Sequence, residues 1–217
     1  MKQSISAKRA LEVVNRTLEV SPEWEPCLGG EISRHGACFF WGNSGNGKSS
    51  AVMAFARMLA SQGRVLYVSR EEGYGLSFQN TIRRYRMDEF GSSFQVVDRE
   101  DVESLVERLS RPKSPEFVIL DSIQVMGLSW KDYRMLRERF PKKLFVLVSQ
   151  TDGRQPEGRP ARRMMFDADL KVWVEGHIAF SKGRFIGETA KYVVWEEAAA
   201  TYWNGKQEKT ALNDSKQ

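Results

Sequence analysis

A chain of 217 residues with 41% hydrophobic and 28% charged side chains can bury one sizeable core, which excludes a fibrous or disordered polymer. Its net charge of +5 is mildly basic, compatible with a nucleic-acid partner without requiring one. Cys27 and Cys38 form no CxxC pair and His35 and His177 stand far apart, so no disulfide framework or zinc site is expected, only two reduced, part-buried thiols.

The N-terminal stretch MKQSISAKRALEVV lacks the apolar core of a signal peptide, and no apolar run reaches membrane length. A cytoplasmic protein without a membrane partner is expected. From Ser6 to about Leu18, Ala10, Leu11, Val14 and Leu18 recur at helical spacing and predict a short amphipathic helix. Ser21 to Pro26 breaks it, and Leu28-Gly29-Gly30 makes a turn. Ala37 to Trp41 reads as an apolar strand. Ser49 to about Ser61 follows as a helix, ended by Gly63.

The pattern then alternates. Strands are expected at Val65–Ser69, Phe94–Val97, Phe117–Leu120 and Leu144–Val148. Helices are expected at Gly75–Tyr85, from Asp101 to about Leu109, and at Trp130–Phe140. Near-continuous apolar strands separated by helices predict a parallel sheet covered on both faces, an α/β fold. Thr151 to Met164 is rich in Gly, Pro and Arg and reads as a loop. Leu170–Val174, His177–Phe180 and Tyr192–Trp195 follow without long helices between them and predict an antiparallel β-meander. From Gly205 to Gln217 the chain is polar and aperiodic, and a disordered tail is expected. The resulting division is an N-terminal helix and linker over 1–27, a core over 28–204 and the tail over 205–217.

Gly42-Asn43-Ser44-Gly45-Asn46-Gly47-Lys48-Ser49 fits G-x-x-x-x-G-K-[ST] at every fixed position, between a strand and a helix. Glycines let backbone N–H groups turn inward around phosphates, and the helix start presents its positive end to them. Lys48 can reach the β- and γ-phosphates, and the Ser49 hydroxyl can join a Mg²⁺ shell; Ser50 completes the predicted binding segment. Asp121, at the tip of an apolar strand well downstream, is the expected second metal ligand. ATP and Mg²⁺ are therefore the expected cofactors.

The ordered series Leu28-Gly29-Gly30, the phosphate loop, Ser69-Arg70-Glu71-Glu72, Leu120-Asp121-Ser122-Ile123-Gln124, Val148-Ser149-Gln150 and Ser181-Lys182-Gly183-Arg184-Phe185 resembles the RecA-like ATPase core. Within it the series looks more like the RadA/Sms branch than the DnaB-type hexameric helicases, over roughly Leu28 to Trp195. The resemblance implies a twisted, mostly parallel sheet with helices on both faces, ending in the meander. It implies that Glu71 orients the attacking water, with Glu72 as the competing carboxylate. It implies that Gln150 senses the γ-phosphate, the alternative being a turn residue with its amide in water. It further implies that Lys182 and Arg184 reach the ATP of a neighbouring subunit in a ring or filament, against the alternative of a solvated edge-strand pair. The chain departs from the RadA/Sms pattern at Gly183 and after Phe185.

Arg154, Arg159, Arg162 and Arg163 lie where RecA-like proteins carry a DNA-binding loop, and mobile backbone with Arg suits contacts to single-stranded DNA phosphates. The segment after Asp121, Ser122 to Ser129, carries no positive charge, which counts against a full recombinase groove. The expectation is a self-associating, DNA-acting ATPase in recombination, repair or replication. The alternative is an ATP-gated assembly switch for a protein partner. A small-molecule kinase is a third class, disfavoured because no Arg-rich lid is visible.

Overall fold

The computed structural model describes residues 4–29, 31–183 and 186–214. The chain opens with α1 (Ala7–Leu11), followed by a two-stranded ribbon of β1 (Thr17–Glu19) and β2 (Glu31–Ser33) around the short α2 (Glu25–Leu28). Then β3 (Gly36–Trp41), α3 (Lys48–Ala60), β4 (Val65–Ser69), α4 (Leu76–Arg84), a 3-10 turn, β5 (Phe94–Val97), α5 (Val102–Ser110), β6 (Phe117–Asp121), α6 (Trp130–Arg139) and β7 (Leu144–Ser149) alternate. A small hairpin of β8 (Thr151–Asp152) and β9 (Gln155–Pro156) leads into α7 (Arg159–Asp167). The end of the chain is β10 (Leu170–Glu175), β11 (Ile178–Gly183), β12 (Ile186–Val193) and α8 (Glu196–Asp214).

The main sheet has eight strands in the order β12-β11-β10-β3-β7-β6-β4-β5. From β10 to β5 every pairing is parallel, whereas β10-β11-β12 is an antiparallel meander. The sheet is thus the expected α/β architecture. Each residue of β4, β6 and β7 is buried, because helices cover both faces. Alternation along β3 divides the core: Cys38 and Phe40 pack towards α3, while Ala37 and Phe39 pack towards α5, α6 and α7. Nine of the 13 residues of α3 are buried, so the helix behind the phosphate loop is held nearly all round.

Four expectations need correction. The first helix ends at Leu11, and Leu11 and Val14 are each 89% exposed. Five residues form barely one turn, and pairing of Leu18 with Ile32 draws the next segment into a strand. The 1–27 segment is also no mere linker from Leu18 onward. Leu18, Trp24 and Cys27 are buried in the same cluster as α3, and Trp24 stacks on Tyr192 with ring centroids 4.1 Å apart.

The Arg-rich stretch is not one loop: its second half is α7. Pro160 sits in the first helical turn, where its missing N–H costs nothing, and Ala161, Met164 and Met165 bury one face at helical spacing. Finally, α8 runs through Gly205 into the stretch expected to be disordered. Three consecutive alanines, Ala198 to Ala200, and first-turn acids favour the helix, and one glycine, at about 1 kcal/mol relative to alanine, does not end it. Its first half also packs: Ala199 is buried.

Candidate active site

Strand register builds one rim. Trp41 of β3 lies beside Ser149 of β7, Asp121 of β6 beside Val148 of β7, and Ser69 of β4 beside Asp121. The residues after each strand therefore emerge together at the C-terminal edge of the sheet, where ligands of open α/β folds bind. Gly42 turns the chain against β10; a Cβ there would stand 2.2 Å from the Val174 carbonyl oxygen. Gly47, at φ +86°, supplies the left-handed residue that starts α3.

Between these elements lies a cleft of about 560 Å³. Gly42, Asn43, Ser44, Gly45, Gly47, Lys48, Ser49 and Ser50 form one wall, and Glu71, Glu72, Asp121, Gln150, Thr151 and Glu157 the other. Asp121 is buried and accepts a 2.5 Å hydrogen bond from the Tyr67 hydroxyl. Burial pushes its carboxyl up to about 6; the Tyr67 hydrogen bond and the Lys48 charge work against that, and Glu71 and Glu72 add to it. Glu71 is exposed on the rim. Glu72 is half-buried, and its Oε2 is buried without a hydrogen-bond partner.

The donor set fits Mg²⁺. That ion usually takes one or two protein oxygens and completes its shell with phosphate oxygens and water. The Ser49 hydroxyl and Asp121 carboxylate share the cleft, and the orphaned Glu72 oxygen adds negative charge there. Among the described residues no group of three or more His, Cys, Asp or Glu forms an all-protein metal cage.

Asn46 of the loop does not line the cleft. Its Oδ1 accepts from the Gly176 N–H at 2.8 Å and its backbone oxygen from the His177 N–H at 3.1 Å. Asn43 Oδ1 accepts from the Thr151 hydroxyl at 2.7 Å. Behind Gln150, Gln124 ties two segments together: its Oε1 accepts from the Gln150 N–H, and its Nε2 donates to Ser149 Oγ and the Glu157 carbonyl.

Lys182 lies on β11 opposite Lys171 and borders a different hollow, with Trp41, Trp173 and Phe180. It does not line its own chain's cleft. Arg184 lies outside the described residues. Arg154 occupies the β8–β9 turn and approaches Glu175 at 3.5 Å. Arg159, Arg162 and Arg163 are on α7, where Arg162 donates to the Pro156 carbonyl and Arg163 stacks 4.6 Å from the Trp130 ring centroid. The roles of Tyr67 and Thr151 carried no sequence signal, and Gln124 was visible only as part of the Asp121–Gln124 series.

Compared with known proteins, no family model matches the chain. A solved structure, the flagellar accessory protein FlaH from Methanocaldococcus jannaschii, superposes with a TM-score of 0.60, covering 82% of this chain and 93% of that one at 14% identity. The chain has a RecA-like P-loop fold. Among curated proteins, this RecA-like core is 32% identical over 113 residues to the DNA repair protein RadA of Streptococcus pneumoniae (strain ATCC BAA-255 / R6), covering 52% of this chain and 26% of that protein. RadA of Brucella abortus (strain 2308) is 30% identical over 127 residues, covering 56% and 26%. The likeness is distant, and the matched stretch is about a quarter of these relatives' length. Among the described residues, no helix of the RecA-like core is long and apolar enough to cross a membrane.

Proposed function

We propose that the chain is a Mg²⁺-dependent ATP hydrolase of RecA fold that self-associates with ATP between subunits and acts on single-stranded DNA. The observation that carries this reading is the convergence of Lys48, Ser49, Asp121, Glu71 and Gln150 on one cleft of about 560 Å³. Lys48 and the inward N–H groups of the loop grip the phosphates. Ser49 and Asp121 would hold Mg²⁺, which when bound would supply positive charge to the phosphates. Glu71, exposed on the rim, orients the water. Gln150 can donate its side-chain amide to a γ-phosphate oxygen without adding charge. Its backbone, bonded through Gln124, links that oxygen to the segments after Asp121 and after β7. The DNA half of the reading is supported by the distant likeness to RadA and by the arginines of α7.

The test is ATP turnover with and without single-stranded DNA. Lys48→Ala is expected to abolish nucleotide binding. Glu71→Gln is expected to keep binding and lower turnover by about 10²- to 10⁴-fold, with a smaller loss in Glu72→Gln. Turnover indifferent to DNA, together with no salt-sensitive DNA binding, removes the DNA half.

A second reading is an ATP-gated assembly switch for a protein partner. It is favoured by Ser122 to Ser129, which carries no positive charge beside the cleft, and by the fold likeness to an accessory protein, FlaH. A partner retained only in the presence of ATP supports this reading, and nucleotide-independent association rejects it.

A further inference from the structure

The phosphate loop is held from outside as well as from α3. Asn46 accepts from both N–H groups of the tight turn between β10 and β11, Gly176 at 2.8 Å and His177 at 3.1 Å. That turn is in turn held by α8. Gly176, at φ +52°, lies so close to Tyr202 that a Cβ would meet the ring at 2.2 Å. The residue before it, Glu175, collects four partners among the described residues. Its Oε1 accepts from Lys206 Nζ at 2.7 Å and the Tyr202 hydroxyl at 3.2 Å. Its Oε2 accepts from Trp173 Nε1 at 3.1 Å and faces Arg154 of the β8–β9 turn at 3.5 Å. The Glu175 side chain is only 12% exposed. Thr151 at the start of that hairpin donates to Asn43, the other Asn of the loop. Two variable positions of the phosphate-loop motif are thereby tied to elements whose ends meet at one carboxylate.

We infer that Glu175 is a positioning residue for the phosphate loop: by pinning the β10–β11 turn to α8 and to the β8–β9 hairpin, it fixes Asn46 and so the loop's grip on phosphate. Glu175 does not line the cleft, so its effect passes through Asn46 and the turn. A loop whose N–H groups converge only when the turn is seated loses affinity when the turn is freed, because ordering the loop then costs conformational entropy on binding. The converse holds by linkage: bound nucleotide steadies α8. The inference rests on the nucleotide-binding half of the proposed function.

The experiment is a double-mutant cycle on the full chain, read as the Kd of a fluorescent ATP analogue with Mg²⁺, with Tm recorded for each variant. Glu175→Gln and Asn46→Ala are each expected to weaken binding about tenfold, and the double variant no more than either alone, because both break one path. Lys206→Met, which removes the α8 partner of Glu175 at a half-buried position, weakens binding in the same direction and covers the case in which Glu175→Gln does not fold. Ser129→Ala, which removes a helix cap remote from the loop, lowers Tm while leaving Kd unchanged. A Kd for both Glu175→Gln and Lys206→Met within twofold of wild type, or effects of Glu175→Gln and Asn46→Ala that multiply, overturns the inference while the phosphate-loop reading stands. A wild-type chain that binds no triphosphate overturns both.

Discussion

Asp121 shows how a single residue trades stability for chemistry. Its carboxyl is buried, and burial pushes it from the ordinary 3.8 to about 6 despite the Tyr67 hydroxyl and the Lys48 charge. The folded chain thus binds this proton more tightly than the unfolded chain does. Such a group contributes stability that is fully present below about pH 4 and is lost as pH rises through about 6. The difference is worth about 3 kcal/mol. Asp121→Asn is therefore expected to be more stable than wild type above pH 6 in metal-free buffer, and the gap to shrink towards pH 4. Denaturant melts across that range check it; a gap that widens on acidification contradicts the assignment. The same variant is expected to lose Mg²⁺-dependent nucleotide binding, since it removes a charged oxygen from the cleft that Ser49 also lines. Tyr67→Phe takes away the donor that favours the ionised carboxylate, so the pH above which Mg²⁺-nucleotide binds is expected to move up. Lys48 and Ser49 are legible in the sequence because the phosphate-loop motif has fixed spacing, and Asp121 because it ends an apolar strand downstream of that loop. Tyr67 is not, since a tyrosine inside an apolar strand reads as core until the register of β4 against β6 puts its ring near Asp121.

Among the elements, α7 changes what the arginines can do. Gly158 and Pro160 usually punctuate, so the sequence of this segment reads as loop; here they mark a helix start, with Pro in the first turn. As a helix it turns its arginines to different neighbours. Arg162 is occupied by the Pro156 carbonyl and Arg163 by the Trp130 ring, whereas the Arg159 side chain forms no hydrogen bond or ion pair among the described residues. The DNA reading then separates the residues. Arg159→Ala is expected to weaken single-stranded DNA binding equally across sequences and to lower the slope of log K against log salt by about 1. Arg163→Ala is expected to lower stability by about 1 kcal/mol through the lost contact with Trp130. Filter binding at several salt concentrations and a thermal melt distinguish the two; an unchanged salt slope in Arg159→Ala removes α7 from the DNA surface. The α8 helix escaped sequence reading for a different reason. Its second half lacks hydrophobic period, and what anchors the helix is the long-range contact of Tyr202 and Lys206 with Glu175, which no local pattern announces. The parallel strands, by contrast, were legible because burial on both faces leaves an unbroken apolar run.

For the whole molecule, the positions of Lys48 and Lys182 decide what an assembly must look like. Lys48 lines the cleft, while Lys182 stands on β11, beyond β10 from the phosphate loop, beside Trp41 and Trp173. If Lys182 meets a triphosphate, that triphosphate belongs to another copy, and the contact between copies is heterologous, one face against a different face. Such contacts make rings or filaments in which each site takes Lys48 from one subunit and Lys182 from the next. This gives a complementation test. Lys48→Ala and Lys182→Ala are each expected to be inactive alone, because every site lacks one cation. Mixed in equal amounts and allowed to exchange, they place an intact Lys48 beside an intact Lys182 at roughly a quarter of the interfaces by random pairing of unlike faces. ATP turnover of the mixture is expected to recover to roughly that fraction of wild type, if interfaces act independently. Recovery requires both cations to serve one site from two chains. A mixture as inactive as its parts, with subunit exchange shown by labelled copies, puts Lys182 back on a solvated edge and leaves the cleft to work within a single chain.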